Sequence, residues 1–115
     1  MKKLMLLSFV ALLAFACNKL TTKNIVGTWK VTEFAINGTA IPTGVVQTYE
    51  FMDDGNVTYY EDGVSQGNTS YTVSDDGKTL TISGQMYTAT EKKGKVLKFE
   101  YVNGTDTYSW TMEKQ

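Results

Sequence analysis

Two acidic pairs, Asp53-Asp54 and Asp75-Asp76, are the first residues whose type and spacing suggest chemistry, because neighbouring carboxylates can collect a cation. Calcium takes about six to eight oxygens, usually from a loop such as the ~12-residue EF-hand loop. Each pair here lies in a short turn, Asp53-Asp54-Gly55-Asn56 or Asp75-Asp76-Gly77-Lys78, where adjacent carboxylates diverge. Turn chemistry accounts for both pairs, and no metal is implied. Ser and Thr are plentiful, with 17 Thr, yet the chain has no His to activate a hydroxyl or to bind a metal. No pair of carboxylates stands out for glycoside hydrolysis. A single Cys, Cys17, makes no internal disulfide and no four-Cys zinc site. All 11 basic residues are Lys, and 12 acidic residues leave a net charge of −1, which points away from nucleic acid. Asn37, Asn56, Asn68 and Asn103 match the glycosylation acceptor pattern, but they read as turn residues beside strand Thr. These counts point away from an enzyme and imply no cofactor.

The remaining candidates are side chains that strands must position. From Asn24 onward no stretch of 11 residues holds a helical apolar period. Thr and Tyr suit a pleated, half-buried surface. Turn signals recur at Asn37-Gly38, Asp53-Asp54-Gly55-Asn56, Asp62-Gly63, Asp75-Asp76-Gly77-Lys78, Gly84-Gln85, Lys93-Gly94-Lys95 and Asn103-Gly104. They predict eight strands, over 25–35, 45–52, 57–61, 69–74, 79–83, 86–91, 96–102 and 106–113. Alternation is clearest where Leu97, Phe99 and Tyr101 oppose Lys98 and Glu100, and where Tyr108, Trp110 and Met112 oppose Ser109, Thr111 and Glu113. In Val57-Thr58-Tyr59-Tyr60 either Tyr could turn inward. Such an all-β chain closes into an antiparallel up-and-down barrel or stacks as a two-sheet sandwich. Pro42 falls in the longest connection, 36–44, where no ladder hydrogen bond is lost.

Strict alternation puts Trp29, Val31, Tyr49, Phe51, Tyr71, Tyr87, Tyr101, Tyr108 and Trp110 on the inner face, with Leu80, Ile82, Leu97, Phe99 and Met112. It also puts Glu33 there, near one end; a bulge or twist would instead bring Glu33 to water. An eight-stranded barrel either fills its interior with side chains or holds one small ligand. Two readings follow. One is a packed core with Tyr hydroxyls at the rims. The other is a pocket for a small apolar or aromatic molecule, lined by Tyr49, Tyr71, Tyr101 and Tyr108, with Glu33 meeting a polar ligand group.

The N-terminal segment reads as an address. Lys2 and Lys3 precede an uncharged run from Leu4 to Ala16, the length of a secretory signal core and short for a membrane span of about 20 residues. The run ends Ala14-Phe15-Ala16-Cys17, which resembles the lipobox of bacterial lipoproteins, with Ala14 where Leu is commonest. That resemblance implies a signal peptide over 1–16, a lipid on Cys17, and attachment to the membrane through it. An ordinary signal cut after Ala16 is the alternative. Residues 17–23 then form a tether and 24–115 the folded domain. The mature chain has 9 Lys against 12 acidic residues. Asn18 follows the Cys in place of the Asp of inner-membrane retention, and no acidic cluster follows for surface export. This similarity implies an outer-membrane lipoprotein of the cell envelope facing the periplasm.

The strand Ile25-Val26-Gly27-Thr28-Trp29-Lys30-Val31 resembles the Gly-x-Trp signature of lipocalin and calycin barrels. Tyr49, Phe51, Asp54 and Gly55, followed by Tyr71, Val73, Gly77, Leu80 and Ile82, look like the short lipocalin-like domains of Bacteroidota lipoproteins. The resemblance implies one eight-stranded, monomeric barrel with Gly27 and Trp29 at its closed end. It also implies a mouth formed by 36–44, 61–68, 84–85 and 103–105, where a small hydrophobic ligand or an envelope protein partner would engage. Many lipocalins lay an Arg across that Trp. This chain has none, and Lys114 is the nearest cation at the right end.

Overall fold

A computed structural model describes residues 19–115. The expected signal segment 1–16 and the expected lipid anchor Cys17 lie outside the described residues. Nine strands form a single antiparallel sheet: β1 Gly27–Ile36, β2 Thr39–Ala40, β3 Gln47–Phe51, β4 Asn56–Glu61, β5 Val64–Val73, β6 Thr79–Ile82, β7 Gln85–Lys93, β8 Val96–Asn103 and β9 Asp106–Lys114. Strand β1 also pairs with β9, from Trp29↔Lys114 to Ile36↔Tyr108, so the sheet closes on itself. The fold is therefore a closed eight-stranded antiparallel barrel. Strand β2 is a two-residue addition to the end of β1. Closure leaves no free edge along most of the sheet.

Three elements differ from the sequence expectation, one of them β2, which lies inside the expected connection 36–44. Strand β5 begins at Val64 rather than 69, because Asp62 (φ 50°) and Gly63 (φ 80°) turn the chain within two residues. The stretch 64–68, which reads as loop by its Gly, Asn and Ser content, is thereby recruited into the ladder with β4. The start of β1 moves in the other direction, to Gly27. Residues 19–25, expected as tether and first strand, fold into a compact plug. Thr21 N–H donates to Asn24 Oδ1 (2.8 Å), Asn24 N–H donates to Thr21 Oγ1 (3.0 Å), and Asn24 Nδ2 donates to Lys19 O (2.7 Å). This turn drives Leu20 and Ile25 into the core, with 1% and 0% of their surfaces exposed.

Three register shifts break the alternation: on β1 between Val31 and Glu33, on β5 opposite Tyr59/Tyr60, and on β7 between Ala89 and Glu91. An extra residue bends a strand and strengthens its twist, which helps a short-stranded barrel close. It also inverts the facing of every residue beyond it. Past the first shift Phe34, not Glu33, faces inward, opposite Trp110. Past the third, Lys92 is opposite the fully buried Leu97 and is itself buried.

The core is concentrated at the end where the N-terminal plug enters. Leu20, Ile25, Trp29, Phe51, Val57, Leu80, Leu97, Phe99 and Met112 are essentially fully buried there. Trp29 is its centre. Its indole N–H donates to Ile25 O (2.8 Å), and the ammonium of Lys114 lies 5.7 Å from the ring centroid, with that of Lys92 at 5.9 Å. Lys114 also donates to Asn24 O (3.3 Å), which ties the last strand to the plug. A lysine thus takes the place across Trp29 that the resemblance gives to an arginine. It does so as a point charge over the ring rather than as a planar stack.

Candidate functional site

Antiparallel order assigns the connections to two ends. Turns 52–55, 74–78 and 94–95, with the plug, form the closed end. The connections through 37–46, 62–63, 83–84 and 104–105 form the mouth. Burial falls between the two. The inner face of β3 and β4 shows the gradient directly, because its cross-strand pairs are Phe51↔Val57, Tyr49↔Tyr59 and Gln47↔Glu61, in order from core to lip. Phe51 and Val57 are buried, whereas the next two pairs are half-buried.

Seven half-buried rings line the mouth half. Trp110 packs at 5.3 Å from Phe34, 5.3 Å from Phe99 and 5.6 Å from Tyr87. Tyr101 stacks on Tyr108 (6.3 Å) and meets Tyr87 edge-on (6.0 Å). Tyr49 tilts against Tyr59 (4.9 Å). Of the two candidates on β4, Tyr59 is inward, and Tyr60 instead donates to Glu50 Oε1 (3.0 Å).

The structure brings Tyr49, Tyr101 and Tyr108 to the mouth half, together with four rings that the sequence does not single out as site residues: Phe34, Tyr59, Tyr87 and Trp110. The other two expected site residues lie elsewhere. Tyr71 packs edge-on against Phe51 (5.0 Å), and its hydroxyl donates to Met52 O (2.6 Å), so it locks the closed-end turn. Glu33 sits past the β1 bulge, exposed, and makes no hydrogen bond or ion pair among the described residues. It borders a groove of about 310 Å³ between β1 and the 40–43 connection, lined by Val31, Phe34, Ile41 and Pro42. Glu61 and Gln47 were missed. Their signal was present, because counting by twos from Val57 and Tyr49 places both on the inner face.

A polar relay sits at this lip. Gln47 Nε2 donates to the Tyr59 hydroxyl (2.9 Å), and burial raises the Tyr59 pKa, with the neighbouring Glu61 carboxylate adding to the rise. Burial also pushes the Tyr49 hydroxyl well above the ordinary tyrosine value, helped by Tyr59, Tyr87 and Glu61. Gln47 Oε1 is buried and has no hydrogen-bond partner, alone in this among the described residues.

The raised tyrosines give a pH prediction. In the folded barrel Tyr49 keeps its proton above pH ~10, where the unfolded chain loses it. Its contribution is complete below that pH and is lost as pH rises toward its folded value. Stability should fall above pH ~10, with Tyr49 adding at most about 1.4 kcal/mol per pH unit to the slope. Urea titrations at several alkaline pH values should show a shallower slope for Tyr49→Phe; an unchanged slope would refute the assignment.

Lysine is confined to one end, where it is mixed with Asp53, Asp54, Asp75, Asp76 and Glu113. The mouth connections and the strand residues beside them carry Glu61, Asp62 and Asp106 and no Lys. Lys19, Lys23, Lys78, Lys92, Lys93, Lys95 and Lys114 cluster at the closed end. A second groove of about 470 Å³ lies there, between Lys19-Leu20, the 76–78 turn and β7. The acidic turns are explained locally. Asp76 accepts from Ser74 Oγ (2.6 Å) and from Lys78 N–H (3.0 Å), which hold its pKa below the usual carboxylate range. Asp54 Oδ1 accepts from Asn56 N–H (3.0 Å). Among the described residues no three His, Cys, Asp or Glu side chains converge on a point. No known protein family and no curated protein sequence matches this chain.

Proposed function

We propose that this protein is a lipid-anchored, lipocalin-like barrel of the bacterial cell envelope that binds a small apolar or aromatic molecule at its mouth. The observation that carries this reading is the burial gradient: a solid core below, and above it seven rings that keep part of their surface accessible. Apolar surfaces with a few convergent polar groups are what small-molecule sites offer. The lipidated Cys17 stands two residues before Lys19, and the plug fixes Leu20 at the closed end. At about 3.5 Å per residue, such an anchor holds the closed end close to the membrane and turns the mouth away from it. The test is native mass spectrometry of the purified full chain. A co-purifying small molecule is the expected result. Its absence, together with Trp fluorescence unmoved by added aromatic probes, would end this reading.

A second reading, an envelope interaction or inhibitor module, has its own observation. The large hydrophobic side chains exposed among the described residues are Ile41, Val46, Val64, Met86 and Val102, and all five lie at the mouth end. Single exposed apolar residues are ordinary, but their gathering at one end is what a partner surface looks like. Cross-linking in intact cells from a photoreactive residue at position 86 would give a discrete protein adduct on this reading and none on the first.

A further inference from the structure

The Gln47 amide oxygen is the starting point. A buried acceptor without a donor is costly, and folded proteins keep few of them. Its own amide nitrogen is committed to Tyr59. The cross-strand partner of Gln47 on the same inner face is Glu61, so an amide oxygen and a carboxylate stand side by side at the lip. Both are acceptors. The groups around them are tyrosine rings: Tyr59 next to Glu61, Tyr49 one pair deeper, and Tyr87 near Tyr49 across the interior. Lysine, the only basic side chain in the sequence, is absent from this end of the barrel. The lip therefore has acceptors and ring faces in place but no cation of its own.

From this arrangement we infer that the mouth takes a protonated amine carried on an apolar or aromatic body, with its N–H groups donating to Gln47 Oε1 and Glu61 and its charge over the faces of Tyr49, Tyr59 and Tyr87. An ammonium group supplies two or more donors and one positive charge, which matches what the site lacks. Ring faces attract such a charge, more strongly as water is excluded. Asp62 and Asp106 at the rim extend a negative field that draws cations in. The inference rests on the small-molecule reading of the mouth and adds the ligand's charge and donor chemistry to it. It also gives the rings a selective function: a neutral apolar molecule can use their area but leaves the Gln47 oxygen unpaired.

Isothermal titration of the full chain in zwitterionic nanodiscs with 2-phenylethylammonium and with 2-phenylethanol separates the two levels. The pair shares an aromatic body and differs in charge and donor number. The ammonium should bind at least about tenfold more tightly. Glu61→Gln should reduce that preference to about threefold or less, while Glu113→Gln, at the closed end, should leave it intact. Gln47→Met should weaken the ammonium and raise the melting temperature of the free protein, because the orphaned oxygen is gone. Equal binding of the two compounds, or a preference that Glu61→Gln does not reduce, overturns the amine inference and leaves the small-molecule reading standing. An equal drop in Glu113→Gln overturns it as well, since net charge rather than the lip would be responsible. If neither compound binds, both readings fall.

Discussion

Replacing Trp29 with alanine should destabilise the barrel by about 3–5 kcal/mol, a large part of the ~5–15 kcal/mol that holds a domain of this size together. The ring is fully buried, donates to the plug at Ile25 O and lies under the Lys114 ammonium of the last strand. Its loss leaves a cavity between Leu20, Ile25 and Met112 that a closed barrel cannot collapse to fill. It also strands the Ile25 carbonyl, whose donor is the indole N–H, and removes the ring under two ammonium groups. Denaturant midpoints measure the effect. Trp29→Phe isolates its parts, since the phenyl ring keeps most of the packing but not the hydrogen bond, and about 1–3 kcal/mol should be lost. Trp110→Ala provides the contrast. That ring is half-buried toward the mouth, so its removal should cost less than that of Trp29. An equal or greater cost would contradict the core-to-mouth gradient on which the functional reading depends.

The second large effect is expected at Gly27, where alanine should cost about 2–4 kcal/mol. Its φ of 136° is a conformation that side-chain-bearing residues seldom adopt, and holding one there costs about 1–3 kcal/mol. A Cβ at this position would also stand 2.6 Å from Lys114 Cε. Lysine is flexible and can move aside, but moving takes its ammonium off Trp29 and away from Asn24 O. That adds roughly 0.5–2 kcal/mol. The two contributions separate in a double-mutant cycle with Lys114→Ala. The backbone share should persist in the Lys114→Ala background, and the lysine share should disappear. Strict additivity would show that Gly27 and Lys114 are not coupled. The Gly-x-Trp spacing thus has a physical content here. The glycine leaves room for the cation that lies across the tryptophan two residues on.

Much of this architecture was legible in the sequence because two local rules act on almost every residue. Period-two alternation marks the inner faces of β3, β6, β8 and β9, and turn residues mark where each strand must end. Trp29, Phe51, Leu80, Leu97, Phe99 and Met112 were placed in the core by counting, and the structure buries all six. Where counting failed, a single residue was responsible. Strict alternation puts Glu33 inward and leaves Phe34 off the inner face because the count runs through the β1 bulge. Lys92 was invisible as a companion of Trp29 for the same reason, one bulge later on β7. The plug was missed because its order comes from Thr21, Asn24 and Lys19 bonding to one another, with no apolar period to announce it. Tyr71 was grouped with the mouth tyrosines because alternation reports the face of the sheet, not the height along the barrel.

Local sequence is enough to make this chain a run of hairpins with one aromatic inner face, and it leaves no imidazole or arginine chemistry. Strand periodicity and turn propensity are local properties, so they survive without knowledge of neighbours. The positions of the bulges, the cations over Trp29 and the meeting of Gln47 and Glu61 with three tyrosines at the lip come from the folded barrel. Those depend on closing β1 onto β9, and closure fixes the stagger of every strand at once. No window of sequence contains that condition, because closure pairs residues as far apart in the chain as Trp29 and Lys114.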